Sequence, residues 1–161
     1  MKKLLVLLSI FTINIYAARA HHVDGRKLAV MSDVTTEYAK GQADYHGNVV
    51  LRHGGLTIYA NDGNSRKTKT GGLVFNLTGS PATFERIING KIIEGRARHM
   101  TYYKNSGKLV LSGNVGFGSE YEEVVPEENQ VLVYNINTND ASVIDIVEYD
   151  YGYDDGYSYG Y

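Results

Sequence analysis

The chain has 161 residues, 43% of them hydrophobic, 11% aromatic and 21% charged, with 18 Gly, 2 Pro and neither Cys nor Trp. That length suits a single core, and the absence of cysteine excludes a disulfide scaffold, a thiol nucleophile and any Cys-ligated zinc or iron–sulfur centre. A formal net charge of −2 is unsuited to binding nucleic acid by neutralising phosphates, so no nucleic-acid partner is expected.

The chain opens with Lys2 and Lys3, an apolar stretch from Leu4 to Ala18, and the small-x-small step Ala18-Arg19-Ala20. This is the pattern of a cleaved secretory signal, and the stretch is short for a membrane span. Residues 1–20 therefore read as a signal peptide; kept in place, the same stretch would be an N-terminal anchor. Cleavage removes three basic residues and no acidic one, leaving 13 Lys+Arg against 18 Asp+Glu. From Asp145 onward there are five acidic residues and no basic one, so the body is neutral and the end acidic. Residues 148–161, built of Tyr, Gly, Asp and Ser after Glu148, read as a disordered tail. One folded domain is expected over residues 24–147.

Within that domain apolar and polar residues alternate, and Gly, Asn and Asp punctuate the runs, which is the signature of an all-β fold. In Gln42–His53, Ala43, Tyr45, Val49 and Leu51 share one face, while Gln42, Asp44, His46, Asn48 and Arg52 share the other. Gly54-Gly55 permits a tight turn into a second alternation, Leu56, Ile58 and Ala60. Asn89-Gly90 predicts a two-residue hairpin, since both central positions of that turn need positive φ. Pro81 and Pro126 read as breaks between runs.

An internal repeat is also present. Gly41–Leu51 lies over Gly107–Phe117 at an offset of 66 residues. Ala43 matches Leu109, Tyr45 matches Leu111, Val49 matches Val115, and Leu51 matches Phe117. The Gly-Asn step falls inside each run, where a glycine marks a bulge or bend. Two long strands, each bent at Gly-Asn, predict stacked β layers.

Catalytic chemistry is not visible. His46 sits on a polar face and His53 at a turn, positions typical of solvated imidazoles. Glu94 could pair with Glu85, but no sequence-adjacent carboxylates form an acid/base dyad. The acidic group from Glu120 to Glu128 contains Pro126 and reads as a solvated loop rather than a calcium site. The expectation is a non-enzyme with no metal and no cofactor.

A resemblance adds to this. Gly47-Asn48-Val49-Val50, Ile58-Tyr59-Ala60-Asn61, Gly79-Ser80-Pro81-Ala82-Thr83-Phe84, Asn89-Gly90-Lys91, Glu94-Gly95-Arg96-Ala97, Met100-Thr101-Tyr102 and Leu111-Ser112-Gly113-Asn114-Val115 occur in one order. Together they resemble the OstA-like (LptA) superfamily of lipopolysaccharide-transport periplasmic proteins, over about residues 27–134. Ser32-Asp33 falls where that family has its early Ser-Asp step. Glu128-Asn129 stands where a Gly-Asp step is common, and the usual basic C-terminal stretch is replaced by the Tyr/Gly/Asp tail.

The resemblance implies an OstA-like β-jellyroll of stacked antiparallel strands, open at both ends, in the periplasm of a Gram-negative bacterium. It implies lipopolysaccharide as cargo. The implied partners are an LptC-like subunit of the inner-membrane complex, an LptD-like outer-membrane translocon, and further copies of the chain joined head to tail. Exposing about ten methylenes costs about 8 kcal/mol at about 0.8 kcal/mol each, so a many-chained lipid needs an apolar path. The expected lining is Tyr45, Val49, Leu51, Leu56, Ile58, Phe84, Ile88, Met100, Tyr102, Leu109, Leu111, Val115 and Phe117, around a trough that the protein's own side chains leave unfilled. Arg96 and Arg98 are candidate rim contacts for lipid phosphates. Unpaired edges at Leu28 and Val30 and at Val131 and Val133 are candidates for joining neighbours. Alternative readings are an LptC-type anchored bridge component and, in another class, a secreted β-rich carbohydrate-active enzyme.

Overall fold

A computed structural model describes residues 27–119 and 122–146. The signal-peptide and tail assignments, residues 1–20 and 148–161, lie outside the described residues.

The fold is all-β, as the alternation implies. Its eleven strands are β1 (Ala29–Met31), β2 (Val34–Ala39), β3 (Gln42–His53), β4 (Leu56–Lys67), β5 (Leu73–Ile88), β6 (Lys91–Tyr103), β7 (Lys108–Ser112), β8 (Gly116–Ser119), β9 (Glu122–Val124), β10 (Gln130–Asn135) and β11 (Asp140–Asp145). They form one antiparallel sheet in the order β1-β3-β4-β5-β6-β7-β10-β11. β2 also pairs with β3, and β8 pairs with β6 and β9. From β3 to β7 neighbours in sequence are neighbours in space, joined by short turns. Gly54-Gly55 and Asn89-Gly90 all have positive φ, at 58° and 81° and at 50° and 77°, the geometry of the two-residue hairpin.

The long strands are interrupted along a single line. Register shifts fall between His46 and Val49 in β3, between Tyr59 and Asp62 in β4, and between Thr78 and Ala82 in β5. On β6 the line passes Arg98, whose N–H donates to Gly113 O at 2.7 Å. It then reaches the gap between β7 and β8. Both copies of the repeat break there in the same way, with Gly47 and Asn48 at φ 73° and 47° and Gly113 and Asn114 at 76° and 52°. Asp33 fastens the first break: its N–H donates to Gly47 O, and its Oδ2 accepts from Asn48 Nδ2 at 2.8 Å. Pro81 is not between runs. It lies inside the 16-residue β5 at this bend, where the ladder is already interrupted.

The bend folds the sheet into two layers. The first holds β2, β7, β10, β11 and the adjoining halves of β3 to β6; the second holds β1, β8, β9 and the other halves. The inward faces of both build one core: Val49, Leu51, Leu56, Ile58, Ala82, Phe84, Ala97 and Val115 from the second layer meet Phe75, Leu77, Met100, Tyr102, Leu109, Leu111, Leu132 and Tyr134 from the first. A smaller apolar cluster of Val110, Val131 and Val133, with Tyr103 and Ile144 against it, occupies the outer side of β7, β10 and β11.

Candidate functional site

The interior has a packed middle and a mouth at each end. Leu51, Ile58, Met100, Tyr102, Leu109 and Leu111 are completely buried, so the expected unfilled trough is, in this structure, closed across its middle by its own side chains. The N-terminal mouth is a cavity of about 300 Å³ lined by Leu28, Val30, Ala43, Tyr45, Ser65, Leu73 and Phe75 among others. Its one buried polar side chain, Ser65, accepts from Ala43 N–H at 3.2 Å and is 3.1 Å from the Tyr45 hydroxyl. The C-terminal mouth, about 180 Å³, lies between β8-β9 and β10-β11. It is lined by Ile93, Phe117, Gly118, Ser119, Val124, Tyr134, Asn139 and Ala141.

Aromatic rings wall the C-terminal mouth. Phe84 stacks on Tyr134 with centroids 5.8 Å apart, and Phe117 is tilted against both, 6.1 Å from Phe84 and 5.4 Å from Tyr134. Gly95 permits this. It stands opposite Phe84 in β5 and Phe117 in β8, and the Phe84 ring lies over it, 2.5 Å from where a Cβ would project.

Along the side of the molecule the lips of the two layers meet in a polar seam. Register places His53, Leu56, Arg86 and Ile93 in one inward row of the second layer. Tyr102, Leu109 and Tyr134 form the facing row of the first. His53 Nδ1 is 2.5 Å from the Tyr102 hydroxyl. Burial pushes the Tyr102 phenol up to about 12, and burial, then the charge of Lys104, pushes His53 below the usual imidazole value. A protonated phenol beside a neutral imidazole makes Tyr102 the donor and Nδ1 the acceptor. Further along, Arg86 Nη1 donates to the Tyr134 hydroxyl at 2.9 Å, and that hydroxyl donates to Asn139 Oδ1 at 2.6 Å. The guanidinium also lies 5.9 Å from the Tyr134 ring centroid, within cation–π range.

The expected lining maps onto this interior. Val49, Leu51, Leu56, Ile58, Phe84, Met100, Tyr102, Leu109, Leu111 and Val115 belong to the core cluster, and Tyr45 and Phe117 pack against it from the two mouths. Ile88 does not belong to it. It has the right parity but lies at the β5–β6 hairpin tip, partly buried and paired with Lys91, beyond the seam. Phe75, Leu77, Leu132 and Tyr134 were missed, although Phe75-x-Leu77 and Leu132-x-Tyr134 carry the same alternation. Arg86 was also missed. Its signal was a lone cation inside the apolar rhythm Phe84-x-Arg86-x-Ile88.

Arg96 and Arg98 are not at an interior rim. Arg96 shares the outer face with its cross-strand neighbour Thr83, and its Nη2 is 3.0 Å from Glu123 Oε1 in an exposed ion pair. Arg98 is exposed at the bend beside Gly113. Nor is β10 an edge. It pairs with β7 on one side and β11 on the other, so Val131 and Val133 offer no unpaired backbone edge and pack instead in the outer apolar cluster. Leu28 and Val30 do lie at the N-terminal edge, where β1 pairs only with β3; their side chains turn inward against the core. β11 is the strand beyond β10. The acidic stretch is not wholly loop, since β9 forms across Glu122–Val124.

The outer face of the second layer carries a groove of about 450 Å³ over Gly116 and Gly118, bordered by Tyr59, Glu85, Glu94, Arg96 and Glu123. Glu85 and Glu94 are direct cross-strand partners. Both are exposed, and Glu85 accepts from the Tyr59 hydroxyl at 3.0 Å. Among the described residues no three His, Asp or Glu side chains are grouped to hold a metal ion.

The sequence pattern of one family, LptA/(LptD N-terminal domain) LPS transport protein, matches residues 30–140, spanning every strand from β2 to β10. The chain belongs to this family. The LptA/LptD N-terminal fold is also that of a solved structure, LptH of Pseudomonas aeruginosa, described as the LptA-homologous periplasmic component of the conserved lipopolysaccharide transport device. The two superpose with a TM-score of 0.64 at 21% identity, over 73% of this chain and 81% of that one. Comparison with curated proteins gives no match. Membership makes this chain an LPS transport family protein with an LptA-like β-jellyroll.

Proposed function

We propose that the chain is a periplasmic carrier of lipopolysaccharide, exported by a cleaved signal, that bridges an LptC-like inner-membrane subunit to an LptD-like translocon. The observation that carries this reading is the bent sheet. Its two halves turn apolar faces toward each other along the whole strand stack, with a mouth at each end. Acyl chains enter between the layers, and sugars stay outside with solvent. The packed middle implies that the layers part to admit chains. The seam is the side on which they part, because two polar contacts, His53–Tyr102 and Arg86–Tyr134, hold it. Such a carrier needs no cofactor and no catalytic group.

Head-to-tail joining uses the two ends of the stack, β1 with β2 at one and β11 at the other. Each leaves a row of backbone groups for a neighbour to pair with. The chain has no native cysteine, so engineered pairs report without background. A chain carrying both Ala29→Cys and Val143→Cys should give an oxidised ladder of oligomers, and each single variant, whose thiol faces no partner thiol in a head-to-tail joint, should stay monomeric. Absence of any ladder in the double variant, with both single variants folded, contradicts end-to-end joining. Lipid carriage is tested separately by equilibrium binding of lipopolysaccharide to the purified chain; saturable binding is expected, and none refutes the carrier reading.

A further inference from the structure

We infer that Arg86, at the seam beside the C-terminal mouth, is an anchor for the phosphate of the lipid whose acyl chains enter there; this rests on the carrier reading above. Three observations converge. Arg86 shares the inward row with Leu56 and Ile93, so its guanidinium faces the apolar interior. Among the described residues it has no carboxylate partner within ion-pair distance. Its one hydrogen bond goes to the neutral Tyr134 hydroxyl, using one of five N–H donors. Tyr134 and Asn139, the two groups chained to it, line the mouth itself.

A half-buried guanidinium served by one phenol is under-compensated. A phosphate, offering two oxygens to its planar fork, is the partner whose geometry and charge complete it. The apolar wall starts directly beside it, at Ile93, Phe117 and Val124, so one amphiphile satisfies both. Lys104 adds positive charge near His53 at the other contact of the seam, and among the described residues no acidic side chain is hydrogen-bonded to His53, Tyr102, Arg86 or Tyr134. By contrast Arg96, the other arginine of the second layer's neighbouring strand, already has Glu123.

The test compares lipopolysaccharide with the same material after phosphate removal, each displacing a fluorescent fatty-acid probe from the mature chain. Inorganic phosphate alone is a third arm. The wild type should bind the phosphorylated lipid about tenfold more tightly, about 1.4 kcal/mol. Arg86→Gln should bring that ratio close to one, with any change from loosening the seam shared equally by the two lipids, and Arg86→Lys should keep much of the preference. Retained binding of dephosphorylated lipid also shows that the variant is folded. If Arg86→Gln discriminates as well as the wild type, the anchor is refuted and the carrier stands. If the wild type binds neither lipid, the carrier reading fails and the anchor with it. If inorganic phosphate alone occupies the site as tightly as the phosphorylated lipid does, the site serves a free anion and the lipid assignment is overturned.

Discussion

Gly95 is the position where one added methyl group tests the interior most sharply. An alanine Cβ there would stand 2.5 Å from Phe84 Cε1, 3.1 Å from Phe84 Cδ1 and 3.1 Å from Gly116 O. The ring has nowhere to retreat, since it is 2% exposed, stacked on Tyr134 and flanked by Phe117. Overpacking of this kind costs about 1–3 kcal/mol. Gly95 has ordinary strand φ, so alanine also recovers roughly 0.5–1 kcal/mol of backbone entropy. The expected net loss for Gly95→Ala is about 1–2 kcal/mol. In urea it should appear as a lower midpoint at unchanged m. On heating it should lower Tm by roughly 3–5 °C per kcal/mol for a domain of this size. Phe84→Leu removes the opposing ring edge. The double variant should therefore lose less than the sum of the singles, with a coupling of about 1 kcal/mol. A Gly95→Ala protein as stable as the wild type, or strictly additive singles, would refute the ring-over-glycine packing.

Other outcomes follow from the same geometry. Gly47→Ala and Gly113→Ala should each destabilise by about 1–2 kcal/mol, because both positions have positive φ and a Cβ would crowd the Asp33 carboxylate at one and Arg98 at the other; urea titration measures both. Leu111→Ala should cost about 2–5 kcal/mol through cavity formation, whereas Ile88→Ala, at the hairpin tip, should cost less than about 1 kcal/mol. Equal losses at these two sites would misplace Ile88. His53 titrates below its unfolded value of 6.5, so the unfolded chain takes up the proton first on acidification. Stability should therefore be full above pH 6.5 and fall as pH drops through 6.5 toward the lower folded value, and His53→Gln should flatten that part of the stability–pH curve.

Much of the architecture was legible in the residues. Strict alternation in Gln42–His53 fixes which side of β3 faces the core, since a one-residue slip would turn every side chain over. The Gly-Asn steps, repeated 66 residues apart, marked both bends because an interior strand glycine followed by asparagine accepts left-handed φ where most residues do not. Partner choice was less legible. Val131–Tyr134 reads as an isolated apolar strand, and nothing local says that Asp140–Asp145 will fold back to cover its free side. The same ambiguity hid Leu132 and Tyr134 from the expected lining. Arg96 lies on the outer face because the bend at Arg98 reverses the parity of β6: Met100 and Tyr102 point inward on one side of it and Ala97 on the other. Arg86 was overlooked because an arginine in an apolar rhythm looks like a surface residue until the facing layer supplies Tyr134.

The most direct test of the carrier places a photo-crosslinking amino acid at Phe117, which lines the C-terminal mouth and is only half-buried, and compares it in living cells with the same group at Tyr59 on the outer face. The interior position should capture lipopolysaccharide on irradiation and the outer one should not. A normally expressed and folded Phe117 variant that captures no lipopolysaccharide, or capture that is equal at Tyr59, would contradict passage of the lipid between the two layers.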